Sequence, residues 1–443
     1  MKNQDLTSGN IKTQLFTLAL PLLAGSILQQ LYNTADTVIL GRYAGMEAFG
    51  AVGVAGTVMN LFIFILSGSC TGMTVLFAQF YGRKAMDQFR MESFLTLIFG
   101  GGLTVVFSLS AVMMTEPLLR LIHTPASVFP YAKSYLMIIF SGLIITYLYN
   151  LFSSILRAAG NTKAAFLFLA AAIITNIVLD LLFVAKARMG TAGAALATVL
   201  AQLLSVLLCI IYTKRRYPEL LFTGKDMHFD RAMAKKTLSF SFAAALHQSS
   251  LYIGKLLIQG TVNTLGTEAV YGYTAATRIE GFANSFGDSQ SQALSVFTAQ
   301  NWGAGKKDRV RLGIKHGFLL LAAMGLALSL LMYTKAVPLT ALLTGDGHSQ
   351  AITAGSGYLR AISAFYILCF IGNVFVGYFR GIGLVKVPVT GAALHISIRV
   401  LLSCLLAPEL GLTAVSLATG AGWAAVVLFF LALFFRSKCH SET

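Results

Sequence analysis

LFTLALPLLAGSILQQLYNTADTVILG, residues 15–41, is almost uninterrupted apolar sequence with one acidic side chain, Asp36, near its end. Its length exceeds the roughly 20 residues that a helix needs to cross a bilayer. A carboxylate within hydrocarbon costs roughly 2.5–3.5 kcal/mol even on the lenient insertion scale, so such a residue faces protein or water. The stretch therefore predicts a membrane-spanning helix in which Asp36 has a function, with a buried structural hydrogen bond as the alternative.

Other polar residues lie on the same side of this helix as Asp36. Tyr32 precedes it by about one turn and Gln29 by about two turns, so the three side chains form a stripe on an apolar cylinder. Pro21, about four turns before Asp36, has no N–H and removes one backbone hydrogen bond. We therefore expect the stripe to face the protein interior and Pro21 to act as a hinge.

The composition of the whole chain is that of a polytopic membrane protein. Of its 443 residues, 56% are hydrophobic and 11% are charged, and the mean hydropathy is +0.74. The net charge of +16 comes from Lys and Arg between apolar segments, without the basic and aromatic surface that nucleic acid requires. The five cysteines have no CxxC spacing, so neither a metal site nor a disulfide framework is predicted.

Apolar runs of roughly 20–28 residues recur about twelve times, and each is long enough to cross a bilayer as a helix. In the first half they lie near residues 12–40, 48–78, 91–114, 132–155, 163–185 and 190–213. In the second half they lie near residues 235–262, 269–299, 312–334, 356–378, 386–407 and 411–435. The sequence thus predicts an all-α membrane protein with about twelve transmembrane helices surrounded by membrane lipids.

The positive residues set the orientation of these helices. About 23 of the 33 Lys and Arg lie in the termini and in every second loop, and only about six lie in the opposite loops. By the positive-inside rule, both termini and the long basic loop are cytoplasmic in a plasma-membrane protein. The predicted organisation is an N-terminal lobe at 1–213, a cytoplasmic linker at 214–234 and a C-terminal lobe at 235–443.

The two halves resemble each other. ILRAAGNTK around Arg157 matches YFRGIGLVK around Arg380, GTAGAALAT matches GLTAVSLAT, and LFAQFYGRK matches FTAQNWGAGKK, always about 221–223 residues apart. Internal repeats are typical of secondary transporters. With six helices in each half, the two bundles have the same orientation, so we expect a pseudo-twofold axis along the membrane normal and a cleft between them.

These motifs, together with TADTVILGRYAG and NIVLDLLF, resemble those of the multidrug and toxic compound extrusion (MATE) transporters, and most closely the prokaryotic DinF-like branch. The resemblance covers essentially the whole chain. It implies a V-shaped pair of six-helix bundles that exports cationic amphipathic compounds in exchange for protons or sodium. It implies no cofactor besides the coupling ion.

The resemblance also implies a cation-coupling site. In that branch a carboxylate in the first helix, preceded by a proline, works with an Asn and an Asp in the fifth helix, which places the site at Asp36, Asn176 and Asp180. Asn176 and Asp180 are four residues apart and share a helix face. Gln29 and Thr198 are expected to complete the hydrogen-bonded pocket, and a purely structural network is the alternative.

A broad apolar substrate cavity is expected, with Met73, Tyr147 and Phe152 as candidate lining residues. Small cationic molecules would be its substrates, and we expect a monomer. An ion channel and an enzyme are disfavoured, because neither a filter-like loop nor a catalytic motif appears. No catalytic residue is therefore predicted.

The second half has its own charges inside apolar runs, and they leave a second function open. We expect Lys255, Arg278, Glu280 and Arg399 to form a structural ion-pair cluster. If Glu280 is instead unpaired, the second half holds another cation site. The excess of cations also suits an anionic ligand, and the alternative function is then a flippase for a lipid-linked anionic precursor.

Overall fold

The structure is a computed structural model that describes residues 5–344 and 349–439. In these ranges the chain forms helices joined by short turns. Within these ranges no residue lies in a β-strand. The first half consists of α1 (Ile11–Tyr43), α2 (Met46–Gly82), α3 (Met86–Leu95), the π-helical segment π1 (Thr96–Gly100), α4 (Gly101–Leu121), α5 (Phe129–Ser141), α6 (Leu143–Ala158), α7 (Thr162–Asp180), the π-helical segment π2 (Leu181–Lys186) and α8 (Gly190–Arg216).

The linker and the second half complete the chain. Two short 3₁₀ turns, Pro218–Leu220 and Gly224–Asp226, follow α8. The second half consists of α9 (Arg231–Asn263), α10 (Thr267–Gly303), α11 (Lys307–Thr334), α12 (Ala336–Thr344), α13 (Ser349–Ser363), α14 (Tyr366–Gly381), α15 (Lys386–Leu410) and α16 (Leu412–Cys439).

The membrane spans agree with the polytopic prediction. Among the described residues, eight helices are long and apolar enough to cross a membrane, and ten spans result if each bent helix pair counts as one. The bent pairs are α5 with α6, at 46°, and α13 with α14, at 54°. The remaining predicted spans, α9 and α10, are long enough but more polar, so their assignment as spans stays a prediction.

The internal repeat is visible in the helices themselves. α1 and α9 each have 33 residues, and α2 and α10 each have 37. The two bent pairs also occupy equivalent positions in the halves. Gly160 and Gly383, in the matching turns of the repeat, both have positive φ (80° and 93°), a conformation that favours glycine. The duplication detected in the sequence is therefore a structural one.

The chain divides into two compact units whose borders run through α1 and α9. The first unit is built around Leu20–Ala245, and the second around Leu246–Trp302 and the chain from Lys306 onward. The beginning of α1, Gly9–Ala19, belongs to the second unit. The first part of α9 thus packs with the first unit, although its sequence belongs to the second repeat.

Close packing against α2 explains why the first part of α9 belongs to the first unit. A Cβ atom added at Gly72 would lie 2.3 Å from the carbonyl oxygen of Phe240, and one at Gly68 would lie 2.8 Å from Cα of Ala245. Two glycines four residues apart allow the backbones of α2 and α9 to approach closely. This contact fixes one wall of the cavity described below.

Candidate functional site

α1 and α7 lie side by side in the first unit and carry the two predicted carboxylates. α1 is helical through Pro21, so the carbonyl of Thr17 loses its usual intrahelical donor at the predicted hinge. Four residues later, at Gly25, a Cβ would lie 3.2 Å from the Leu169 side chain of α7. The start of α7 is set by Asn161, whose side-chain oxygen accepts from the Ala164 N–H at 3.1 Å.

The carboxyl groups of Asp36 and Asp180 lie within hydrogen-bonding range of each other. Asp36 is 6% exposed and Asp180 is fully buried, and the Oδ1 atom of each has no hydrogen-bond partner among the described residues. Two carboxylates this close in a buried site repel each other, and a hydrogen bond between them requires a proton. The pair therefore places two buried carboxyl groups next to each other, each with one oxygen free of a partner among the described residues.

Asn176 links this pair to α8. With its amide nitrogen toward Asp180, it donates to Oδ2 at 3.0 Å, and its oxygen accepts from the Thr198 N–H at 3.1 Å and from the Thr198 hydroxyl at 3.3 Å. The Tyr32 hydroxyl lies 3.1 Å from the same Thr198 oxygen. The structure thus brings Asp36, Asn176, Asp180 and Thr198 together, and their role in cation coupling stays a prediction.

Gln29 is not part of this network. Its side chain is exposed, although it lies on the same helix face as Asp36 in the sequence pattern, and the described hydrogen bonds of the pocket do not include it. The face of α1 that carries both residues is thus buried at Asp36 but exposed at Gln29. The prediction that Gln29 completes the pocket is wrong for this reason.

A search for charged residues in apolar segments does not detect two features of the site. Tyr135 on α5, 3% exposed, neighbours Tyr32 and both carboxyls. The internal repeat contains a signal for it, because Tyr135 and Tyr358 are related by a shift of 223 residues. The helix also widens into π2 directly after Asp180, and such π-helical turns are frequent at functional sites.

The predicted charge cluster in the second unit is only partly assembled. Glu280 is 8% exposed, and its Oε2 accepts from the Tyr358 hydroxyl at 3.0 Å. Arg399 is an electrostatic neighbour of Glu280, but its Nη2 donates to the Tyr273 hydroxyl at 3.4 Å, and its Nε has no partner among the described residues. In the described chain, Glu280 forms no ion pair within 4.0 Å, so tyrosine contacts replace the expected direct pair.

The other two cations of that cluster are exposed. Lys255 lies within electrostatic reach of Glu280, whereas Arg278 points away on α10. A carboxylate held by phenol hydroxyls satisfies its lone pairs without the geometry that an ion pair demands. The prediction of a four-residue ion-pair cluster is therefore corrected to a Glu280–tyrosine site with Arg399 beside it.

An apolar cavity of about 300 Å³ lies in the first unit between α2, α4, α6 and α9. Met73 and Tyr147, two of the three candidate cavity residues, line it. Phe152 is buried, but it does not line this cavity. Among the described residues, no cluster of three or more His, Cys, Asp or Glu has the arrangement of a metal site.

Comparison with known proteins places this architecture in a family. The family model described as MatE matches the chain twice, at residues 21–182 and 243–405. The probable multidrug resistance protein YpnP of Bacillus subtilis (strain 168) is 29% identical over 388 residues, covering 86% of this chain and 85% of the relative. The probable multidrug resistance protein NorM of Thermotoga maritima (strain ATCC 43589 / DSM 3109 / JCM 10099 / NBRC 100826 / MSB8) is 27% identical over 386 residues, covering 84% and 80%.

The fold agrees with that result. A crystal structure of a MATE protein in complex with MaL6 superposes on the whole of both chains with a TM-score of 0.92, at 23% sequence identity. The apolar helices and the duplicated halves thus belong to a known transporter fold, and the double match of the family model covers most of the sequence. The chain is a member of the MATE family and hence a membrane transporter, not an enzyme.

Proposed function

We propose that this transporter is a secondary antiporter that exports small cationic amphipathic compounds in exchange for protons. The observation that carries the proposal is the buried pair Asp36 and Asp180, whose carboxyls face each other with one unpartnered oxygen each. Two ionisable groups within a membrane protein interior mark ion pathways by default. Sodium, as a small cation, is the alternative coupling ion at the same oxygens.

Coupling follows from competition for negative charge. With the pair ionised, a cationic compound is attracted into the first unit, and with the pair protonated that attraction is lost. A ligand shifts a two-state equilibrium only through its differential affinity for the two states. Because proton and compound favour opposite states, binding of one expels the other, and α1 is free to bend at Pro21, where a backbone hydrogen bond is missing.

The relatives support the class of substrate. YpnP and NorM are both named as multidrug resistance proteins, and the apolar cavity of the first unit suits amphipathic molecules. We also propose that the protein is a monomer in the cytoplasmic membrane. Both termini are then cytoplasmic, because the basic loops follow the positive-inside rule.

The test is efflux of a fluorescent cationic dye from membrane vesicles, with proton and sodium gradients imposed separately. Wild type should move the dye under a proton gradient, and Asp36→Asn, which keeps the shape and deletes the titratable charge, should not. Dye export that persists in Asp36→Asn would make Asp36 structural. Dye export by wild type under a sodium gradient alone would show that sodium, rather than the proton, is the coupling ion.

A flippase for a lipid-linked anionic precursor is the second candidate, and one observation favours it. Arg399 in the second unit has a buried Nε without a partner among the described residues, while Lys255 neighbours both Glu280 and Asp288. A buried guanidinium donor without a partner suits an anionic group. If wild type moves no cationic dye under either gradient, the flippase becomes the better hypothesis.

A further inference from the structure

The cavity of the first unit is separate from the carboxylate pair. Each of its walls is formed by one face of a helix or helical segment. α9 supplies one face of residues spaced three and four apart, as a helix face requires: Ala234, Thr237, Leu238, Ser241, Phe242 and Ala245. α2 contributes Ile65, Leu66, Ser69 and Met73. The third wall runs from Leu95 through π1 to Phe107.

The rim of this cavity is apolar and exposed. Phe99 and Leu103 on the α4 side are 48% and 60% exposed, and Leu238 and Phe242 on α9 are 58% and 65% exposed. α4 belongs to a membrane span, and α9 is a predicted one. Exposed apolar side chains at these positions suit contact with hydrocarbon, so the rim offers an apolar entrance to the cavity.

One end of the cavity contains a hydroxyl without a partner. The hydroxyls of Ser69, Thr96 and Thr104 each donate to the carbonyl four residues earlier in their own helices, at 2.9, 2.8 and 2.7 Å. Ser241 is 6% exposed and lines the cavity, but its Oγ has no hydrogen-bond partner among the described residues. An unsatisfied polar group in an apolar wall costs about 1–3 kcal/mol, so a ligand that contacts it gains that energy.

A fully buried carboxylate lies behind the same end. Glu92 accepts at Oε2 from the Thr237 hydroxyl at 2.6 Å, while its Oε1 has no partner among the described residues. The Thr237 oxygen, which also lies 2.9 Å from the Met233 carbonyl, lines the cavity. A hydroxyl that donates to a carboxylate becomes a stronger acceptor, because linked hydrogen bonds polarise one another.

The charges around Glu92 do not neutralise it by direct contact. Lys236 is its cationic neighbour, but the Lys236 Nζ lies over the Phe80 and Phe240 rings, at 5.6 and 5.8 Å, and forms no ion pair within 4.0 Å with Glu92 in the described chain. Tyr147, whose hydroxyl donates to the Thr96 carbonyl at 2.6 Å, is the other ionisable neighbour. Among the described residues, Glu92 is therefore a buried carboxylate without a direct ionic partner, and the Thr237 and Ser241 hydroxyls are polar groups in the cavity wall in front of it.

We propose that this cavity is a second binding site, which takes small lipophilic amines directly from the lipid. The protonated nitrogen donates to the oxygens of Ser241 and Thr237, the apolar body fills the space between α2, α4 and α9, and Glu92 holds Thr237 as an acceptor. The volume of about 300 Å³ limits the ligand to small molecules. The inference rests on the proposed function for the class of ligand, but binding at this site does not require the Asp36–Asp180 pair.

The test is equilibrium binding of radiolabelled 1-adamantylamine, with the uncharged 1-adamantanol of nearly the same shape as comparison. The purified full-length protein is measured in lipid nanodiscs in a background that carries both Asp36→Asn and Asp180→Asn, so that the carboxylate pair contributes nothing. We expect the amine to bind about tenfold more tightly than the alcohol, as hydrogen bonds from a charged donor allow. Glu92→Gln, which still accepts from Thr237, should reduce this preference severalfold.

A filling variant and a matched control locate the site. Ala234→Leu should weaken binding of both compounds by about tenfold or more, since it occupies cavity volume, whereas Ala232→Leu on the exposed side of α9 should not. Equal binding of amine and alcohol, or unchanged binding in Ala234→Leu, would overturn the inference while leaving the antiport proposal intact. Amine binding as expected, together with absent dye efflux in wild type, would refute the antiport proposal alone.

Discussion

The carboxylate site of the first unit and the Glu280 site of the second occupy related positions of the internal repeat. Three pairs of positions correspond at a shift of 223 residues: Tyr135 with Tyr358, Asn176 with Arg399, and Asp180 with Ser403. A tyrosine stands beside the carboxyl group in both units. The acidic residue, however, lies on α1 and α7 in the first unit and on α10 in the second.

This difference changes the charge of the two sites more than their shape. In the first unit an amide holds two carboxyls that have no cation within ion-pair distance among the described residues. In the second unit a guanidinium stands where that amide would be, beside the carboxylate of Glu280. Negative charge in excess suits a site that takes up a cation, whereas a carboxylate held by a phenol beside a guanidinium suits a structural site. Only the first unit should therefore couple transport to protons.

The largest expected effect separates the two units by function. Asp180→Asn should lower proton-driven dye efflux by at least about tenfold, or roughly 1.4 kcal/mol, because the shared proton is lost. Glu280→Gln, which keeps the acceptor for Tyr358, should stay within about twofold of wild type. The measurement is the initial efflux rate in vesicles with equal amounts of each variant, checked by immunoblot. An equal loss in both variants would give the second unit a share in coupling.

Asp36 was predictable because a charge inside a long apolar run is conspicuous. Asn176 and Asp180 were predicted from the resemblance to the MATE family, with which their spacing of one turn agrees. Gln29 was wrongly assigned to the pocket because helical periodicity shows which residues share a helix face, but not which groups that face contacts. Tyr135 is an ordinary residue in its own helix and becomes significant only when α5 packs against α8 and α2, which brings Tyr135 near both carboxyls. The bends at 46° and 54° likewise depend on packing and leave no clear mark on composition.

A smaller effect should distinguish the two tyrosines that the repeat relates. Tyr358→Phe removes the donor to Glu280 and leaves a buried carboxylate oxygen unsatisfied, which should cost about 1–3 kcal/mol of stability. Tyr135→Phe should cost less, because Asp180 keeps its hydrogen bond from Asn176. Thermal unfolding of both variants in the same detergent compares them. A larger loss in Tyr135→Phe would mean that the first site, too, depends on its phenol.

The position of the cavity and the residues around it could not be predicted from the sequence, because they also depend on how the helices pack. Met73 and Tyr147 were chosen because flexible and aromatic side chains are common in such cavities. The Glu92–Thr237 hydrogen bond joins residues 145 positions apart, and it forms because Gly68 and Gly72 allow α9 to approach α2. A glycine pair in an apolar run predicts close packing, but it does not identify the partner helix.

The smallest expected effect belongs to a buried carboxylate of the linker, outside the membrane-spanning helices. Asp226 in the linker of the first unit accepts from the Thr223 N–H at 2.8 Å and hydroxyl at 2.7 Å, and pairs with Arg90 at 3.1 Å. Burial raises the pKa of Asp226, but the hydrogen bonds from Thr223 and Arg90 outweigh it and hold that pKa below its ordinary value. Asp226→Asn should therefore destabilise the protein by less than about 1 kcal/mol at neutral pH.

The pH dependence gives this last effect its sign. A carboxyl with a lowered folded-state pKa contributes stability above its ordinary pKa of about 4 and loses it as the pH falls through the folded-state value. The difference in unfolding temperature between wild type and Asp226→Asn should thus be constant from pH 7 to about 5 and shrink below pH 4. Asp87→Asn is the control, because Asp87 pairs with the same Arg90 but is 93% exposed, so its removal should change little. If Asp87→Asn had as large an effect as Asp226→Asn, the charge of Arg90 rather than the burial of its partner would decide the energy.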